Sequence, residues 1–169
     1  MGGLAFYINE LNSLACLVLL VLACIAPLRF QLQVSTLMTF CVWTAMNLLM
    51  DVLTPSLFTF FTKDSELKFL WYPLWVFFNL TTMMTLYHLH GKFELQSNNF
   101  SRLVMLTLLL LSTLQCIRFI GRFALDWEWT LMLYKYGVLA MNIGPSIAFG
   151  FIFVGVILSG GGNKGKSGK

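Results

Sequence analysis

Five apolar runs, each about as long as a bilayer is thick, constrain this chain more than any other feature. They cover residues 11–28, 34–53, 70–89, 103–120 and 130–158. A helix rising 1.5 Å per residue needs about 20 residues to cross a hydrocarbon core of roughly 30 Å. Barrel strands would show strict alternation, which these runs lack, and lipid offers no hydrogen-bond partner to an open strand edge. The expected fold is therefore all-α, a polytopic transmembrane helix bundle of about five spans. Charge usage agrees: only 11% of the 169 residues are charged and 58% are hydrophobic, whereas soluble domains carry about 25% charged residues. So few charges cannot cover a water-facing surface on a chain of this size.

The organisation follows from the same runs. Residues 1–158 are expected to form one transmembrane helical domain, because no connection is long enough to fold alone. Residues 159–169 hold only Ser, Gly, Asn and Lys. They have nothing to bury and are expected to form a disordered cytoplasmic tail. The first run has a rival reading as a lipoprotein-type signal ending at Ala23-Cys24, which would leave four spans. The first ten residues contain no Lys or Arg but do contain Glu10, and Leu22 is bulky where such a signal prefers a small residue. Both points favour a retained span. The second connection opens with a phenylalanine-rich stretch, residues 54–61, expected to lie in the interface, and continues into charged residues 63–68 expected in water. The fourth, Asp126-Trp127-Glu128-Trp129, reads as a tight hairpin.

Basic residues near the span ends set the orientation. With five spans, Arg29, Lys92, Arg102, Lys164, Lys166 and Lys169 share one side; Lys63 and Lys68, with Arg118 and Arg122 if they emerge, share the other. The richer side is expected in the cytoplasm, which puts the N-terminus outside a plasma or inner membrane. Trp71, Trp75, Trp127 and Trp129 then fall at the outer interface, where an amphipathic ring is favoured, and Trp43 alone lies deep.

Intramembrane polar residues are the best pointers to function in such a chain. Asp51 ends the second run, Arg118 and Arg122 end the fourth, and Lys135 enters the fifth from the same side. At this shared depth an ion pair of Asp51 with Lys135 or Arg118 is expected, with Lys135 favoured as the deeper base. Asn47, Asn79, Gln115 and Asn142, one on each of four helices, form a polar layer roughly 10 to 18 Å below the outer surface. Such a layer either lines a wet cavity or joins the helices by hydrogen bonds, and single amides per helix fit the second better. Ala140, Gly144 and Ala148 recur every fourth residue, a spacing that lets helix backbones approach closely. Pro145 beside them predicts a mid-membrane kink.

Several chemistries find no support. Cys16, Cys24, Cys41 and Cys116 all lie in apolar runs without metal-ligand spacing and read as packing residues. His88 and His90, two apart, point about 200° from each other on a helix. They read as interfacial residues at the cytoplasmic end, and no third histidine completes a haem pair. No catalytic constellation, cofactor motif or metal site is expected. The basic surplus forms no stripe of the kind that binds nucleic acid. The expected partners are membrane lipid and either a second copy of the chain or another protein. The resulting expectation is a small non-catalytic membrane subunit. The alternatives are a small oligomeric channel, pore or transporter using the outer polar layer, and a membrane electron-transfer or enzyme subunit.

Overall fold

A computed structural model of the protein describes residues 3–25, 33–63 and 65–161. Among them there is no strand. Five long helices follow one another: α1 (Gly3–Ile25), α2 (Val34–Lys63), α3 (Trp71–Lys92), α4 (Asn99–Phe123) and α5 (Trp129–Gly161), with a 3-10 helix Ser65–Leu70 leading into α3. Helix α1 packs on α2 and α5, α2 on α3 and α4, α3 on α4, and α4 on α5. The helices thus close a ring in which α2 also reaches across to α4. Arg29, Asp64, Lys164, Lys166 and Lys169 lie outside the described residues.

Among the described residues, three helical stretches are long and apolar enough to cross a membrane: Val34–Phe61, Asn99–Phe123 and Trp129–Leu158. The apolar part of α1, Leu11–Leu22, is shorter. Helix α3 has the length at 22 residues, but Asn79, three threonines and both histidines dilute its apolar character.

Several boundaries differ from the sequence expectation, among them the start of α1, which lies at Gly3 rather than near residue 11. The phenylalanine-rich stretch is not a separate interfacial segment, because α2 runs unbroken through Pro55 to Lys63. Thr54 and Thr59 donate their hydroxyls to the carbonyls of Met50 and Pro55, at 2.6 and 2.9 Å, alongside the helix's own i−4 ladder. Helix α4 begins at Asn99 rather than near 103 because Asn98 caps it, its side chain accepting from the Ser101 backbone N–H at 2.8 Å. At the far end, α5 continues to Gly161, so residues 159–161 are helical rather than part of the tail; residues 162–169 lie outside the described residues.

Both tight hairpins turn on a non-glycine residue of positive φ, Glu94 at 53° after α3 and Asp126 at 49° after α4. After α3 the Leu95 N–H reaches His90 O at 2.9 Å and the Glu94 N–H reaches Gly91 O at 3.2 Å. This pair of bonds satisfies carbonyls the helix end leaves free.

The core is aromatic where α2, α4 and α5 meet. Phe40 stacks on Phe149 with ring centroids 3.7 Å apart, and Phe100 lies 6.4 and 5.8 Å from the two. Such pairs contribute about 0.5–1.5 kcal/mol beyond area burial. Outside this core, large apolar side chains such as Val52, Phe77, Met84 and Phe151 are more than three-fifths exposed.

Candidate functional site

Three groups of polar side chains join helices in the bundle, one near each end and one along α1. The most enclosed joins the start of α2, the end of α3 and the start of α4. Ser35, Thr36, Thr39, His90 and Ser101 are all buried there. Ser35 and Thr39 are four residues apart and so share a face of α2. His90 Nδ1 lies 2.8 Å from Leu86 O, and Ser35 Oγ lies 2.9 Å from His90 Nε2. A carbonyl can only accept, so the ring donates from Nδ1, and in that tautomer Nε2 is placed to accept from Ser35. Ser35 Oγ in turn lies 3.0 Å from Ser101 Oγ, which lies 2.7 Å from Thr39 Oγ1. Thr39 Oγ1 is also placed to donate to Ser35 O, at 2.7 Å. Asn98 closes the group, accepting from Ser101 Oγ at 2.9 Å and donating to Thr36 and to Gln33.

At this end of α3 only one of the two histidines is drawn into the bundle. His88 is exposed and His90 buried, as their opposed directions on the helix require. The cluster was legible in part: hydroxyls at 35 and 39, and an Asn-x-x-Ser pair ahead of an apolar run, are the spacings of a shared face and an N-cap. Nothing in the spacing says that the two meet on His90.

The second group fastens α1. Asn12, Ser13 and Cys16 lie on one side of that helix and all are buried. Ser13 donates to the Asp51 carboxylate on α2. Asn12 donates to Asn142 O on α5 at 3.3 Å, and Cys16 Sγ lies 2.9 Å from Ser146 Oγ. These bonds tie α1 to both of its neighbours, α2 and α5. Cys41 is half-buried, and Cys24 and Cys116 are exposed.

The third group sits where α4 meets α5. Arg118 Nη1 donates to Thr130 Oγ1 at 2.7 Å and to Trp127 O at 3.4 Å; Arg122 Nη1 donates to the Tyr72 hydroxyl at 3.3 Å. Thr130 is held so close that a Cβ on Gly121 would come within 2.6 Å of its Oγ1. A second glycine packs the same pair of helices: a Cβ on Gly137 would come within 2.8 Å of Leu114 Cδ1. Arg118, Arg122 and the hairpin line an open cleft of about 590 Å³.

The residues singled out in the sequence are not gathered in one place, and several lie outside all three groups. Asp51 bonds to Ser13, Arg118 to Thr130 and Trp127, and Lys135 is exposed with its ammonium 5.8 Å from the centre of its neighbour Tyr136's ring. In the polar layer, Asn79 and Gln115 are buried and Asn47 and Asn142 half-buried. Asn47 donates to its own helix, at Trp43 O, 2.9 Å away. Gln115 Oε1 is buried without a hydrogen-bond partner, as are Trp43 Nε1 and Thr44 Oγ1. Of the small-residue stripe, Ala140 and Gly144 are exposed and Ala148 is half-buried against the core. A Cβ on Gly144 would meet nothing within 4 Å. The close approaches inside the chain are therefore made by Gly121 and Gly137, and not by the stripe.

Comparison with protein families, with characterised proteins and with solved structures finds no match to this chain.

Proposed function

We propose that the chain is an integral membrane protein of five spans, with its N-terminus outside, that works as a non-catalytic subunit by associating with a second copy of itself. One observation carries the reading. The glycines at close approach within the chain, Gly121 and Gly137, are already filled by Thr130 and Leu114, while Ala140 and Gly144 on α5 face outward with open space before them. In lipid, helices associate through close backbone approach, for which outward small residues are the best surface. The hydroxyls and amides of α1 and of the cytoplasm-facing start of α2 and α4 support the same reading, since Asn12, Ser13, Ser35, Thr39 and Ser101 bond to neighbouring helices.

The test is the mass of the detergent-solubilised and the nanodisc-embedded protein, with and without Gly144→Leu. Loss of the assembled mass in the variant, with helix content and thermal transition unchanged, is the expected result. An unchanged mass overturns self-association through α5. Membrane residence and orientation are checked separately, by labelling single cysteines at positions 64 and 166 in intact cells. Labelling of position 166 from outside reverses the orientation.

A further inference from the structure

We infer that the cleft between the end of α4 and the start of α5 holds the headgroup of a zwitterionic phospholipid. Two arginines form one wall. Their hydrogen-bond partners among the described residues are a threonine hydroxyl, a backbone carbonyl and a tyrosine hydroxyl, all neutral acceptors. Arg118 Nε is buried with no partner. Only Nη1 of each arginine is engaged by these partners, and none of them neutralises the charge, so each guanidinium keeps Nη donors that suit a phosphate. Arg118 is also fixed in place by Thr130, which Gly121 admits at contact distance.

The other wall is the hairpin itself, and it carries the opposite charge. Asp126 and Glu128 line the same cleft and are exposed. Two arginines and two carboxylates cancel formally. A simple anion entering the cleft would gain the arginines and be repelled by the acids, and a simple cation the reverse. A molecule that carries a phosphate and an ammonium a few bonds apart satisfies both walls together. Trp127 lies between the acids in sequence and Trp129 follows them; both line the cleft, their ring centroids 5.7 Å apart. Indole faces are the best aromatic partners for an alkylammonium.

The apolar end of the cleft selects a lipid over a soluble zwitterion. Leu131 and Met132 continue the lining along α5 and are 51% and 61% exposed. They extend from the charged hairpin toward the part of α5 that the membrane reading embeds in acyl chains. This inference rests on that reading for the position of the cleft at the outer interface. Chain association through Gly144 plays no part in it.

Native mass spectrometry of the full chain, exchanged into nanodiscs of equal phosphatidylethanolamine and phosphatidylglycerol, tests the assignment. Retained phosphatidylethanolamine should exceed phosphatidylglycerol in the wild type. Arg122→Gln should lower retention of both lipids about tenfold, the scale of one lost charge-assisted bond. Asp126→Asn with Glu128→Gln should remove the preference and leave phosphatidylglycerol retained. These three side chains are exposed, and circular dichroism and thermal transitions confirm that the variants fold. Equal retention of the two lipids by the wild type, or a preference unchanged by the paired acid substitutions, overturns the inference. So does glycerophosphoethanolamine competing as well as a short-chain phosphatidylethanolamine, since that makes the ligand a soluble zwitterion. Membrane residence is judged independently by resistance to alkaline extraction, so a chain that leaves the membrane refutes the membrane reading and not the lipid selectivity alone.

Discussion

Ser35→Ala should cost more than the loss of one surface hydroxyl, and the cost should depend on His90. In the folded protein His90 Nδ1 is committed to Leu86 O, so Nε2 depends on the Ser35 hydroxyl 2.9 Å away. Both residues are 6% exposed, so water does not readily replace the lost donor. Interhelical hydrogen bonds in membrane proteins contribute on average about 0.6 kcal/mol and at most about 1.7. An unsatisfied buried acceptor costs about 1–3 kcal/mol. The second figure applies here because the imidazole acceptor stays in place when the serine is removed, and a loss of about 1–2 kcal/mol follows. His90→Leu removes the acceptor together with its need, and the Ser35 hydroxyl then has Ser101 Oγ at 3.0 Å to turn to. The double variant should therefore be scarcely less stable than the worse single one, with a coupling of about 1 kcal/mol. Equilibrium unfolding in mixed micelles, titrated with a denaturing detergent, measures all four proteins. Additive losses, agreeing within about 0.3–0.5 kcal/mol, would refute the argument that the serine matters through the imidazole.

Three other outcomes follow from the packing and the turns. Gly121→Ala would put a methyl within 2.6 Å of Thr130 Oγ1, an atom already held by Arg118 and Trp127; an overpacking loss of about 1–3 kcal/mol should appear in thermal unfolding and be partly relieved by Thr130→Ser. Glu94→Gly relieves a left-handed residue at φ 53°, and despite the added freedom of the unfolded chain it should raise stability by about 0.5–1 kcal/mol, read as a higher transition temperature in detergent. Asp51→Leu leaves Ser13 without its carboxylate acceptor and should lower stability by about 1–3 kcal/mol; Asp51→Asn, which keeps an acceptor, should lose less, and equal losses would place the role of Asp51 in its charge.

The sequence by itself determined the helices and, closely, where they lie. Backbone hydrogen bonding in a helix is local, and an apolar run of bilayer length has no other way to satisfy its amides. One exception was local too, the Asn98 cap that starts α4 early. Which side chains meet was a different matter. A helix that is apolar almost all round has no polar face to show which side points inward, so depth along each helix could be counted but rotation about its axis could not. Asp51, Lys135 and Arg118 share a depth in the sequence reading, yet Asp51 bonds to α1 and Arg118 to α5 and its hairpin. His90 and His88 differ by two residues and by a turn of about 200°; the packing of α3 against α2 and α4 made one a buried partner of Ser35 and left the other outside. The stripe on α5 was visible as spacing, but only the packed bundle shows that Gly121 and Gly137 take up the close contacts and that Gly144 remains open.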